Sequence, residues 1–256
     1  MDVISIPKGF YFCSTAAGFK YQDRDDLGFI GCDRRAAAAG VFTRNRFQAA
    51  PVQVARTFLS GSSTAAGIVI NAGQANACTG EEGVADCLQS CELVAEAFGL
   101  EKEAVLPAST GVIGEKMDLN RWQASLDGLF QSRSQTGPLE VAKAMMTTDT
   151  FPKLVWRSFC PDEGQEVRLM GLAKGSGMIC PDMATMLRFI LCDGDIAPDL
   201  LQDVLGAAVD QTFNRITVDG DTSTNDCVLA LASSGSGVRI KPEQREELQR
   251  EFTGLC

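Results

Sequence analysis

The sequence contains no histidine in 256 residues. Imidazole is the side chain that most often serves as general base near neutral pH, so any Ser, Thr or Cys nucleophile here must lose its proton to something else. Histidine is equally missing as a metal ligand. None of the ten cysteines forms a C-x-x-C pair, so no zinc ligand set is visible. No apolar run is long enough to cross a bilayer, and residues 1–7 lack the basic start and apolar core of a secretion signal. With most cysteines sitting inside apolar runs, the expectation is a reduced, cytoplasmic protein. Basic residues are scarce: 23 against 33 acidic ones, a net charge of -10. Such a surface repels nucleic acid and anionic membranes, which are set aside as partners.

What is present is a globular composition, 45% hydrophobic with 25 glycines. Strand-like and helix-like segments alternate irregularly, which predicts an α/β or α+β fold rather than a barrel. Apolar runs at 27–32 and 36–43 are separated by Asp33, Arg34 and Arg35 and read as two strands. Residues 67–73 read as a buried strand, and 104–108 as another that runs on into 109–114. Val84, Cys87, Leu88, Cys91, Val94, Ala95 and Phe98 recur at spacings of three and four, which predicts a helix. Thr79 and Glu82 have capping-box spacing at its start, and Gly99 suits its end. Further helices are expected over 119–130, 138–146 and 200–213, with strands over 155–159, 167–173 and 185–192. Residues 242–252 read as a charged, exposed helix.

Four places could carry chemistry. Thr185 opens an apolar run after the glycine-rich stretch 174–177. A threonine that becomes a chain terminus can use its own α-amine as base, which answers the lack of histidine. That route requires a cut after Ala184. Thr110 and Gly111, a hydroxyl beside a backbone N–H after a strand, have the makings of an oxyanion hole. Lys174 lies in no Walker A pattern and reads as a solvated lysine or a partner for a substrate carboxylate. The Asn- and Gly-rich loop 71–80 could approach a ligand closely or simply support a long turn. Asp219, Asp221 and Asp226 lack EF-hand spacing and read as loop hydrogen-bonding groups.

Taken in order, these motifs resemble the ornithine acetyltransferase family, also called glutamate N-acetyltransferase, of arginine biosynthesis. The resemblance rests on 7–10, 39–43, 49–52, Asn71-Ala72-Gly73-Gln74-Ala75-Asn76-Ala77-Cys78-Thr79-Gly80, Ser109-Thr110-Gly111-Val112-Ile113-Gly114, 146–150, 173–175 through Met183-Ala184-Thr185-Met186-Leu187, and 217–226. It implies a self-cleaving, layered α-β-β-α sandwich divided into a segment 1–184 and a segment 185–256. Thr185 would be the nucleophile and new terminus, Ala184 the residue before the cut, and Thr110 and Gly111 the oxyanion hole. Thr147 and Lys174 would bind substrate together with Thr185. The implied reaction moves acetyl from N-acetylornithine to glutamate through an acetyl-enzyme. It needs no cofactor and no metal, with acetyl-CoA open as a second donor. An assembly of two α and two β fragments is implied.

Members of that family continue well past the point where this sequence stops. Their substrate-binding glutamate and their late Asn and Thr/Ser have no counterpart here. Two other readings therefore stand beside the transferase. One is a self-processing aminopeptidase or amidase with the same nucleophile; the other is an uncut form that only binds ligand or a partner chain.

Overall fold

The computed structural model describes residues 4–178 and 186–256. In chain order the elements are β1 (Phe10–Thr15), β2 (Leu27–Phe42), α1 (Ala50–Gly61), β3 (Thr64–Gln74), α2 (Gly80–Phe98), β4 (Val105–Val112), α3 (Leu119–Gln131), α4 (Pro138–Ala144), β5 (Lys153–Asp162), β6 (Gln165–Lys174), β7 (Leu187–Cys192), α5 (Pro198–Gln211), β8 (Cys227–Ala232) and α6 (Arg245–Leu255). The strands hydrogen-bond in the order β4-β3-β2-β8-β7-β6-β5, with β1 on the other side of β2's first half. The β3–β4 and β7–β8 pairs are parallel and the rest antiparallel.

One long strand joins two halves. The first part of β2 pairs with β1 and β3, and its last part, Ala37 to Phe42, pairs with β8. The expected pair of strands at 27–43 is therefore one strand. The exposed Asp33, Arg34 and Arg35 lie where the β2–β3 register shifts, between Gly31 and Ala36. An irregularity there bends and twists a strand without ending it. The halves then face each other: α4 touches β1 and β2 on one side and β5 and β6 on the other.

Alternation along the strands sorts the core into layers. Leu187, Phe189 and Leu191 of β7, with Cys227, Leu229 and Leu231 of β8, join β1–β4 in the central core. The intervening Ile190, Cys192, Val228 and Ala230 face α5 and α6 instead. A sheet buried on both faces explains why these strands are continuous apolar runs. Fully burying a side chain such as Phe189 stabilises by about 1.5–3 kcal/mol, and Phe189 has no exposed surface. The mixed, layered α/β fold expected from the sequence is what is found.

Local departures have local causes. α2 ends as expected at Gly99, left-handed at φ 66°. Its start is not a capping box: the Thr79 hydroxyl donates to Asn76 Oδ1 at 2.7 Å, while Glu82 pairs with Lys116. α6 is not merely exposed, because Leu248 and Phe252 are fully buried against the layer beside α5. Among the described cysteines, Cys13, Cys32, Cys87, Cys91, Cys192 and Cys227 are buried and unpaired. Burial pushes the Cys32 and Cys192 thiols up to about 12, which leaves them inert packing groups. Among the described residues, no helix is long and apolar enough to cross a membrane, and no group of acidic, Cys or His side chains could hold a metal ion.

Candidate active site

The ends of β3 and β4 meet at two glycines. Gly73 and Gly111 are register partners, with φ of 126° and 138°. Neither value suits an L side chain. A Cβ on Gly111 would lie 2.2 Å from the carbonyl carbon of Gly73. This tight pair sets Thr110, nearly buried, at the floor of a cleft.

The end of β6 supplies the next group. Lys174 is only 4% exposed, and its Nζ donates to Thr110 Oγ1 at 2.8 Å. Burial lowers the Lys174 pKa, against the opposing pull of Asp149 and Asp226. A hydroxyl oxygen that accepts from an ammonium keeps its own proton to donate elsewhere, and is a stronger donor for it. Lys174 is thus not the solvated lysine that its sequence position suggests.

Asp149 fixes the turn on which Lys174 sits. Its carboxylate accepts from Lys153 Nζ at 2.5 Å, from the Gly175 N–H at 2.7 Å and from the Thr147 N–H at 3.4 Å. Burial alone would raise its pKa, but Lys153, the Gly175 N–H and Lys174 together hold it below the ordinary carboxylate range. Thr147, half-buried, lines the same cleft as Lys174 and Thr110.

The loop before β8 closes the site from the other half. Asn225 Nδ2 donates to Ala75 O at 2.6 Å and Ser109 O at 2.9 Å, tying β8 to the ends of β3 and β4. Asp226, 1% exposed, accepts the Met186 N–H at 2.8 Å on Oδ1, and its Oδ2 has no hydrogen-bond partner among the described residues. Burial raises its pKa to about 8, although the Met186 N–H, Arg188, Ser223 and Lys174 all pull it down. Met186 follows Thr185 in the chain. Thr185 and Ala184 themselves lie outside the described residues.

The Asp226 shift has a stability consequence with a definite sign. Between about pH 4 and pH 8 the folded state holds a proton that the unfolded chain has released. Stability is therefore fully present below the unfolded value and is lost as pH rises through about 8. Asp226→Asn keeps an oxygen for the Met186 N–H and removes the titration. It is expected to raise the melting temperature relative to the native chain at pH 8.5 but not at pH 4. Parallel melting curves for the two proteins across that range would refute the assignment.

The structure brings together Thr110, Gly111, Thr147 and Lys174 from three chain regions around a cleft of 350 Å³. A second space of 20 Å³ beside it is lined by Thr110, Gly111, Lys174, Met186 and Asp226. The amide donors of the Asn71–Gly80 stretch turn inward. Asn71 donates to Gln74 O, Gln74 to Lys116 O, and Asn76 to Gly83 O, so these amides are engaged internally. Asp219 accepts from the Met178 N–H and from its own loop at Asp221, as a loop residue would. Asp149 and Asn225 carried no role of their own in the sequence, and Asp226 only that of a loop hydrogen-bonding group; their placement depends on segments that meet only in the fold. Larger clefts of 830 and 560 Å³ lie elsewhere, near Ile196 and Arg239 and near Phe47 and Thr79, without comparable buried polar groups.

Comparison with known proteins supplies the remaining observations. The ArgJ family profile matches residues 11–256. The arginine biosynthesis bifunctional protein ArgJ of Nitratidesulfovibrio vulgaris is 50% identical over 249 residues, covering 97% of this chain and 63% of that protein. The chain thus spans less than two thirds of that relative. The crystal structure of ArgJ from Bacillus halodurans superposes with a TM-score of 0.62 at 33% identity, over 70% of this chain and 92% of that one. Ornithine acetyltransferase from Mycobacterium tuberculosis, solved in complex with ornithine, gives 0.58 at 30% identity, over 68% and 92%.

Proposed function

The chain belongs to the ArgJ family, and from that premise we propose that it carries the acetyl-transfer site of a glutamate N-acetyltransferase, with Thr185 as nucleophile. The observation that carries this reading is the Lys174–Thr110 hydrogen bond beside Gly111. It is the arrangement an oxyanion needs, and it sits where the family motifs converge.

Maturation comes first. The Thr185 hydroxyl attacks the Ala184 carbonyl carbon, the acyl group passes from nitrogen to oxygen, and water hydrolyses the ester. Ala184 then ends one segment (1–184) and Thr185, with a free α-amine, begins the other (185–256). In the first half-reaction Thr185 Oγ attacks the acetyl carbonyl of N-acetylornithine, and its proton passes to the α-amine. Thr110 Oγ–H and the Gly111 N–H stabilise the oxyanion. Collapse breaks the C–N bond, the amine returns the proton to the leaving nitrogen, and ornithine departs. The α-amine of glutamate then attacks the acetyl ester by the reverse sequence.

Thr147 and Lys174 contact the substrate. Lys174 has three N–H donors and gives one to Thr110, so a substrate carboxylate can take another. The chemistry calls for no metal or bound cofactor, and acetyl-CoA would enter only as an alternative acetyl donor. The two segments would assemble as a pair of α and a pair of β fragments, and the compartment would be the cytoplasm. Transfer is tested by incubating the purified protein with N-acetylornithine and glutamate and following ornithine and N-acetylglutamate. Acetyl release to water without glutamate acetylation would assign the site to a hydrolase instead.

Removing one oxyanion donor costs about a hundred- to a thousand-fold in rate. Thr110→Ala is expected to slow transfer by that amount while leaving the protein folded. An unchanged turnover number would take Thr110 out of this role.

A further inference from the structure

The cleft above Thr110 has the wrong charge for its surroundings. The chain carries ten more acidic than basic residues. Yet the described residues lining this cleft include two lysines, Lys20 and Lys174, and no carboxylate. Lys174 lies deep and is bonded to Thr110, whereas Lys20 is exposed at the mouth. Lys20 has no ion pair among the described residues; Lys174 shows only its bond to Thr110. Asp149 and Asp226 act on Lys174 from behind this lining, but Lys20 has no such counter-charge in it. A polar cleft that presents two ammonium groups and no lining carboxylate attracts an anion, and two of them in one cleft suit a molecule with two carboxylates.

Lys20 is held on a built mount rather than a loose loop. The Asp26 carboxylate, fully buried, accepts the N–H groups of Ala17, Gly18 and Phe19 at 2.7, 3.1 and 2.7 Å. The Phe19 ring packs on Trp122 with centroids 5.4 Å apart. Lys20 then crosses directly over Gly73, where a Cβ would come within 2.9 Å of its own Cβ. Gly73 is the register partner of Gly111, so Lys20 leaves the backbone beside the proposed oxyanion donor. Tyr21, next in the chain, is stacked by Arg24, whose guanidinium donates to the carbonyls of Lys143 and Met146. Of the nearby acids, Asp26 is engaged in this nest, Asp25 with Ser14 and Asp149 with Lys153 and the Gly175 N–H, and Asp23 is not among the residues lining the cleft.

We propose that Lys20 is the specificity residue for the acetyl acceptor, holding the side-chain carboxylate of glutamate at the cleft mouth while the deeper groups hold its α-carboxylate. The proposal rests on the acetyl-transfer reading above and extends it. The two substrates of that reaction share an α-carboxylate but carry opposite charges at the far end, an ammonium on ornithine and a carboxylate on glutamate. A lysine at the mouth favours one and repels the other. It thereby helps ornithine leave after the first half-reaction and glutamate enter for the second.

The test is a split in Michaelis constants. Lys20→Ala is expected to raise KM for glutamate about tenfold, the size of one accessible charge contact, and Lys20→Glu to raise it further. KM for N-acetylornithine should stay level or fall, and Lys20→Arg should restore glutamate binding. The defect should shrink as salt screens the exposed charge. Unchanged glutamate KM in Lys20→Ala, or an equal rise for both substrates, overturns the proposal. Calorimetric titration with glutarate, a dicarboxylate that cannot be acetylated, separates this from failure of the transfer reading. If the native chain moves no acetyl, about tenfold weaker glutarate binding by Lys20→Ala still supports the subsite, and equal affinity still removes it.

Discussion

Thr185→Ala is expected to leave one uncut chain and to abolish acetyl transfer, a loss on the order of 10⁶ in turnover if the residue acts as nucleophile and base together. The size follows from the lack of substitutes. There is no histidine. Lys174 is buried, and its ammonium already donates to Thr110. Asp226 has its pKa raised to about 8 by burial, so it is largely protonated at neutral pH and is a poor base there. A threonine in this setting has its own α-amine as the available acceptor, and that amine exists only after the cut behind Ala184. Cleavage and transfer should therefore disappear together. Intact mass and terminal sequencing report the first, and ornithine release reports the second. Thr185→Ser, which keeps a hydroxyl, should still be cut. Transfer that survives in Thr185→Ala would sink the nucleophile assignment. Cleavage that survives would show that the break is made by some other agent.

The same groups show what could be read in the chain and what could not. Thr110 and Gly111 were legible because the signal is local: a strand, a hydroxyl, then a glycine. α2 was legible because its apolar residues keep one face over five turns and Gly99 marks its end. α1, β1 and β8 were assigned no element. α1 begins at Ala50 with no side-chain cap from Ala49, and β1 and β8 are strands of only six residues, too short to show a period. The charged sequence of α6 hid Leu248 and Phe252, four residues apart on its buried side. Lys174 looks solvated in sequence because its burial comes from β4, more than sixty residues away. Asp226 could not be singled out from Asp219 and Asp221. Only the parallel seating of β8 beside β7 puts its carboxyl against the Met186 N–H. Local conformational chemistry is written locally, whereas electrostatics is written by whichever strands come to lie alongside.

Gly111→Ala is expected to be the most destabilising single substitution near the site. Two costs add. At φ 138° an L residue is strained wherever it sits, by about 1–3 kcal/mol. The new methyl would also lie 2.2 Å from the Gly73 carbonyl carbon, 2.4 Å from its oxygen and 2.6 Å from the Gln74 nitrogen. All three are backbone atoms of the paired strand, so no rotamer change relieves the clash. The ends of β3 and β4 would have to part, and with them the support that Asn225 draws from Ala75 and Ser109. A total of roughly 4 kcal/mol or more belongs to the severe end of single substitutions. For a chain of this size that is a fall of about 8–16 °C in melting temperature, at 2–4 °C per kcal/mol. Gly114→Ala is the control. Gly114 lies three residues on, with φ 87°, but a Cβ there meets nothing within 4 Å. It should show the conformational cost alone, about 1–3 kcal/mol, and keep transfer activity. Thermal melts and turnover of both variants decide the matter. Equal destabilisation by the two would mean that backbone strain alone, and not the contact between the two strand ends, makes glycine necessary beside Thr110.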